Sequence, residues 1–190
     1  MGKTAFLFPG QGSQFVGMGA GFRDDNPKAA DIFARADNRL DFPLSKVIFE
    51  GPEEELKLTE NTQPAILTTS IAALQAVQEA GIQADYTAGH SLGEYSALVA
   101  AGALSFEDAV YAVRQRGLYM EEAVPAGEGA MSAVLGLDNE PLSEIVEKVT
   151  AEGESVQLAN LNAPGQIVIS GTAEGVQMAG KLAEEAGAKR

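Results

Sequence analysis

The chain has 190 residues, 45% of them hydrophobic and 21% charged, enough for one large or two small domains with real cores. Its 27 acidic and 13 basic side chains leave a net charge of −14, which argues against a nucleic-acid partner because phosphate neutralisation needs clustered lysine and arginine. Without cysteine there is no disulfide, thiolate or zinc–cysteine chemistry, as suits a reducing cytoplasm, and the uncharged run Tyr95–Phe106 is too short to span a bilayer.

Thr4–Phe8 reads as a short buried strand, followed by the glycine-rich loop Pro9-Gly10-Gln11-Gly12-Ser13-Gln14. The loop lacks the third glycine of the dinucleotide fingerprint, and no Gly-Lys-Ser/Thr triplet occurs anywhere, so a nucleotide cradle is not expected. Asn26-Pro27 supplies an N-cap and an N1 proline for a helix carrying Ala30, Phe33, Ala36 and Leu40 on one face. Pro64 is read as the start of another helix, with Leu67, Ile71, Leu74 and Val77 inward and Gly81 at its end. Tyr86–Ala88 is a second short buried strand. This alternation predicts a parallel sheet covered on both faces, with sites at the C-terminal strand ends.

Gly89-His90-Ser91-Leu92-Gly93 then forms a G-x-S-x-G pentapeptide between strand and helix. Glycines on either side allow a turn too tight for a Cβ, and the turn lifts the serine Oγ to a helix N-terminus. There, N–H groups and the helix dipole favour a developing oxyanion. Ser91 is either an N-cap on a plain turn or a nucleophile, and the strand–turn–helix context favours the nucleophile. The helix runs from Leu92 to Ala101 and closes on Gly102. In a parallel sheet the Pro9–Gln14 loop lies at the same edge as Ser91. It is either a plain connector or the donor of an N–H that completes an oxyanion hole with that of Leu92.

Ser105 and Asp108 resemble a capping box opening a helix to about Ala123. On it Ala109, Val110, Val113, Gly117 and Met120 share an apolar sector, Arg116 falls at its edge, and Arg114 points well outside. Arg116 requires an anion, which is either an acidic side chain in a structural salt bridge or a substrate carboxylate held by the planar fork. His90 is the only histidine. Being adjacent to Ser91 on a sharp turn, it is a poor general base and better suited to lining the pocket. The chain thus presents a nucleophile without its base.

The pattern changes at Gly129. Strand Ala130–Leu137, helix Glu140–Ala151, strand Val156–Leu161, turn Asn162–Gly165, strand Gln166–Ser170 and helix Thr172–Glu185 give β-α-β-β-α. That is a ferredoxin-like unit short of its last strand.

Taken together, Phe8-Pro9-Gly10-Gln11-Gly12-Ser13-Gln14, Thr62-Gln63-Pro64-Ala65, Gly89-His90-Ser91-Leu92-Gly93-Glu94-Tyr95, Arg116-Gly117-x-x-Met120 and Asn160-x-Asn162-x-Pro164-Gly165-Gln166 closely resemble the malonyl-CoA:acyl-carrier-protein transacylases. The likeness runs through the whole chain in order and spacing. It implies an α/β fold in which a serine hydrolase-like parallel-sheet domain, here 1–124, carries an inserted ferredoxin-like α+β subdomain, here 125–190, both incomplete. It also implies a cytoplasmic acyltransferase of fatty acid biosynthesis that moves malonyl from malonyl-CoA to acyl carrier protein without cofactor or metal. In that resemblance Ser91 is the nucleophile and the Gln11 and Leu92 amides form the oxyanion hole. Arg116 binds the malonyl carboxylate, His90 lines the pocket, and Lys189 and Arg190 join a basic patch facing the carrier protein. Gln63 and Asn160 sit in the family motifs without an assigned part. Family members continue further, and their downstream segment supplies the catalytic histidine, the closing ferredoxin-like strand and more of the sheet. The chain is therefore expected to be the N-terminal portion of a transacylase, either a fragment or an incomplete reading frame. On its own it should be a feeble catalyst with an unpaired sheet edge that invites aggregation. The rival readings are an α/β-hydrolase-type esterase or thioesterase, which passes the acyl group to water, and a non-catalytic fragment that binds carrier protein.

Overall fold

The structure, a computed structural model, describes residues 2–124 and 128–189. The chain divides into two units, Met1–Glu122 and Ala123–Arg190.

In the first, β1 (Ala5–Phe8) leads through α1 (Ala20–Asp25), α2 (Pro27–Leu40), α3 (Leu44–Glu50), α4 (Glu53–Lys57) and α5 (Thr59–Glu79) to β2 (Tyr86–Gly89). Helices α6 (Gly93–Ala100) and α7 (Phe106–Ala123) follow. Helix α2 begins as its sequence dictates: Asn26 Oδ1 accepts from the N–H groups of Lys28 and Ala29 at 2.9 and 3.1 Å, and Pro27 occupies N1. Its buried face, Ala29, Ile32, Phe33 and Ala36, packs into a core with Leu44 and Ile48 of α3, Leu56 of α4, Leu67 and Ile71 of α5 and Val110 and Val113 of α7. Helices α1, α3 and α4 have no counterpart in the sequence reading, because five to seven residues complete too few turns to display a period.

Two expectations need correction. The strands are only partly buried and the sheet is not covered on both faces: Phe8 of β1 joins the core, but Leu7 is 77% and Tyr86 62% exposed. Among the described residues β1 pairs only with β2, so the strand surfaces turned away from the helices have nothing to pack on. An open groove of about 400 Å³ runs between β1 and α5, lined by Leu7, Phe8, Ala73 and Val77. Second, Pro64 does not open α5 but lies inside it, five positions beyond the first residue, Thr59. Proline removes the N–H that the Glu60 carbonyl would accept, and such a helix interior is normally costly. Here Arg114 Nη1 donates to that carbonyl at 2.8 Å in place of the missing amide.

The parallel β1–β2 register pairs Ala5 with Tyr86 and Phe8 with Gly89. It brings the ends of both strands side by side, so the Pro9–Gln14 loop and the Ser91 turn leave the sheet together. Helix α2 is also tied to α7. Arg35 donates from Nε to Glu107 Oε1 at 2.7 Å and lies over the Phe106 ring. The hydrogen-bonded guanidinium holds the Glu107 carboxyl below the usual carboxylate range, against a smaller desolvation effect. A carboxylate with a lowered folded-state pKa stabilises above its unfolded pKa and loses that contribution as pH falls through the folded value. Since the two side chains are 39% and 41% exposed, the effect is small. Glu107→Gln should cost about 0.5 kcal/mol at neutral pH and progressively less as pH falls through the folded-state pKa, as read by urea unfolding at neutral and acidic pH.

The second unit runs β3 (Gly129–Leu135), α8 (Asn139–Ala151), β4 (Val156–Ala163), β5 (Gln166–Thr172) and α9 (Ala173–Glu185). Its strands form an antiparallel sheet in the order β3-β5-β4. The inward positions Val134, Val156, Ile167 and Ile169 meet Leu142, Val146 and Val149 of α8 and Val176, Ala179 and Ala183 of α9. The strand pair β4–β5 extends further than the sequence reading has it. Residues through Ala163 stay in the ladder, and the turn contracts to Pro164-Gly165, with Gly165 at φ +69°. Register shifts at Leu158/Asn160 and Leu161/Ala163 absorb the extra residues. Thr172 caps α9, its Oγ1 accepting from the Gly175 N–H at 3.0 Å.

Candidate active site

The turn after β2 is as tight as its sequence suggests. A Cβ on Gly89 would lie 1.9 Å from the Gly93 carbonyl carbon, and one on Gly93 would lie 2.3 Å from the Phe8 carbonyl oxygen. Both positions therefore exclude a side chain. Between them Ser91 adopts φ +50°, a left-handed conformation unusual for a non-glycine residue and one that clusters at functional turns. Gly93, Glu94 and Tyr95 donate back to the carbonyls of His90, Ser91 and Leu92 at 2.8, 3.1 and 3.0 Å, which starts α6 as a tight turn. The Leu92 N–H precedes the first of these bonds, among the amides that a helix start leaves without an intrahelical acceptor. Leu92's side chain is fully buried and anchors the turn, while Ser91 is exposed.

His90 donates its N–H to the Phe8 carbonyl at 3.2 Å, and its ring leans on Gly10, where an added Cβ would fall 2.9 Å from Nδ1. This contact sets the glycine-rich loop against the serine turn. Gln11, the next residue, is exposed and its Nε2 reaches Thr59 Oγ1 at 3.4 Å, tying the loop to the first turn of α5.

Half-buried Arg116 reaches across from α7, and its Nη2 donates to Ser91 Oγ at 3.2 Å. The structure thus brings together Ser91, His90, Leu92, Arg116 and the Gln11 loop. Lys189 belongs to the other unit, where it is exposed and its N–H donates to the Leu135 carbonyl at 2.8 Å; Arg190 lies outside the described residues. Gln63 is fully buried, with Nε2 on Met120 Sδ at 3.2 Å and an Oε1 that accepts no hydrogen bond among the described residues. Asn160 is a β4 strand residue opposite Val168. The described residues hold no cluster of His, Cys, Asp and Glu suited to a metal, and no helix among them is long and apolar enough to cross a membrane.

Arg114 does not point away from the helix contacts, as its angle on α7 suggests. Only 18% of its side chain is exposed; it lies over the Phe42 ring and bonds the start of α5. A long side chain reaches contacts that its Cβ direction does not indicate. The available signal was Pro64, since an interior proline frees a carbonyl that some donor must satisfy.

A strand, a glycine-flanked serine at positive φ and a helix define the architecture of the site, and the sequence profile of the acyl transferase domain matches residues 5–190. The chain belongs to that family. It is 66% identical over 190 residues to the malonyl CoA-acyl carrier protein transacylase of Bacillus subtilis (strain 168), a match covering all of this chain and 60% of the relative. It is 49% identical to the enzyme of the same name from Escherichia coli (strain K12), covering all of this chain and 62% of that one. A chain of the solved structure of a type II PKS acyl-carrier protein in complex with its malonyl-transacylase superposes with a TM-score of 0.93 at 46% identity, over all of this chain and 61% of that chain. The chain therefore spans about three fifths of the length of these relatives.

Proposed function

We propose that this chain carries the nucleophile and the carboxylate clamp of a malonyl-CoA:acyl-carrier-protein transacylase serving fatty acid synthesis in the cytoplasm. The observation that carries the reading is the 3.2 Å contact between Arg116 Nη2 and Ser91 Oγ, a fixed cation beside a presented hydroxyl. Ser91 Oγ attacks the thioester carbonyl of malonyl-CoA, a C–O bond forms, the C–S bond breaks and CoA leaves as the thiol. The phosphopantetheine thiol of acyl carrier protein then attacks the malonyl-serine ester, forming a new C–S bond and returning the hydroxyl. The Leu92 and Gln11 amides receive the oxyanion in each step. Malonyl places its carboxylate three carbons along from the ester oxygen, within reach of a guanidinium already beside Oγ, where the planar fork takes it in two parallel hydrogen bonds. His90 lines the site rather than acting as base, since its ring is engaged against Gly10. The chemistry as written calls for no cofactor.

In the same reading, the parallel β1–β2 pair with its helices is a serine hydrolase-like domain. The β3-β5-β4 sheet with α8 and α9 is a ferredoxin-like subdomain, whose Lys189, with Arg190, contributes to carrier-protein docking. The test is Arg116→Ala in the full-length protein. Ser91 acylation by malonyl-CoA should fall about a hundredfold or more while acetyl-CoA gains relative to it, because the clamp serves only the substrate with a free carboxylate. Unchanged discrimination between the two thioesters would remove the clamp.

A further inference from the structure

The first turn of α5 is a joint to which several parts of the site are fastened. Thr59 Oγ1 accepts from Gln11 of the glycine-rich loop. Helix α7 lies so close that a Cβ on Gly117 would come within 2.5 Å of Glu60 Cα. Its Arg114, one helical turn before Gly117, spans the same contact. Nη1 donates to the Glu60 carbonyl at 2.8 Å and to Asn61 Oδ1, Nη2 is 3.6 Å from Glu60 Oε1, and the guanidinium lies 4.9 Å from the Phe42 ring centroid. Buried Asn61 is held in turn, its Nδ2 donating to the Glu55 carbonyl at 2.8 Å. The Glu60 carbonyl is available because Pro64 brings no N–H to it. Arg116 sits between Arg114 and Gly117, so whatever fixes the rotation and rise of α7 here also fixes where its guanidinium stands relative to Ser91.

We propose that Arg114 is a positioning residue that locks α7 onto the proline-freed carbonyl of α5 and so aims Arg116 at Ser91. This inference rests on the reading of Arg116 as the carboxylate clamp. Arg114 itself touches no reacting atom. The requirement is for a fork: one guanidinium must serve a carbonyl, an amide oxygen and a carboxylate while stacking on a ring, a combination that an ammonium cannot reproduce. Without it α7 remains packed through Ala109, Val110 and Val113, which are fully buried, but the registry around Gly117 is released.

The experiment measures Ser91 acylation by malonyl-CoA and by acetyl-CoA in the full-length protein carrying Arg114→Ala, Arg114→Lys or Arg116→Ala. Arg114→Ala should lower the malonyl-to-acetyl ratio of kcat/KM about tenfold, with the loss falling on malonyl-CoA, and Arg114→Lys should recover only part of it. Simple loss of folded protein would lower both rates together and leave the ratio intact. A wild-type ratio in folded Arg114→Ala overturns the proposal; if that variant does not fold, a wild-type ratio in Arg114→Lys does so. Should Arg116→Ala leave the ratio untouched, the clamp reading itself fails, an outcome distinct from failure at Arg114 alone.

Discussion

Replacing Ser91 by alanine in the full-length protein is expected to abolish the acyl-enzyme and lower malonyl transfer at least about a thousandfold. The main chain at Ser91 is left-handed, and alanine there keeps the Cβ while losing only Oγ, so the turn should survive the change. What disappears is the atom that Arg116 contacts at 3.2 Å and that the proposed ester requires. Because nucleophile and base act as a unit, the loss should match that of removing the base as well, not a fraction of it. Mass spectrometry after exposure to malonyl-CoA provides the check: wild type gains a malonyl group on the peptide containing Ser91 and the variant gains none. Labelling of the variant at wild-type stoichiometry would place the nucleophile elsewhere. An unlabelled wild-type protein that still retains carrier protein would favour the binding-fragment reading.

The second large effect is on the scaffold. Gly89→Ala puts a methyl group 1.9 Å from one main-chain carbon and 2.0 Å from its oxygen, both belonging to Gly93. Neither is the free end of a flexible side chain, so relief requires moving β2 away from the start of α6. The cost should be about 3 kcal/mol or more, at the upper end for overpacking. Urea unfolding against Gly21→Ala tests this. Gly21 lies in α1 with open space at its Cβ position, so alanine there should change stability by less than about 1 kcal/mol, toward greater stability. Equal midpoints for the two variants would mean that the turn is looser than its geometry.

The elements written most plainly in the sequence are those whose cause is local. Asn26-Pro27 caps and opens α2 through its own side chain and ring, Ser105 Oγ accepts from the Asp108 N–H at 3.1 Å, and Gly89 is there because the main chain of its own turn, at Gly93 and Glu94, leaves no room. Gly129 marks the start of a strand, where the alternation of helices and single strands gives way to an antiparallel sheet. What the sequence hides is non-local. Pro64 reads as a helix start because proline belongs there by propensity, and only a guanidinium 54 positions beyond Glu60, whose carbonyl it satisfies, makes an interior proline acceptable. Strand burial is equally invisible, since Leu7 and Tyr86 are apolar enough for a core and are exposed for want of a packing partner among the described residues. The site divides along the same line. Ser91, Leu92 and His90 are legible from one pentapeptide. Arg116 is legible as an arginine in need of an anion, but its reach to Ser91 depends on how α7 crosses α5, and no residue of α7 spells that out alone.

The left-handed backbone at Ser91 also limits which chemistries this position can host. Branching at Cβ crowds a positive φ, so threonine, despite an equivalent hydroxyl, would strain the turn it needs to react from. Cysteine has no such branch and would fit, exchanging an oxygen ester for a thioester. A lineage or a designer retuning this catalyst therefore has sulfur as its open direction, with the secondary alcohol closed by stereochemistry before reactivity is ever tested.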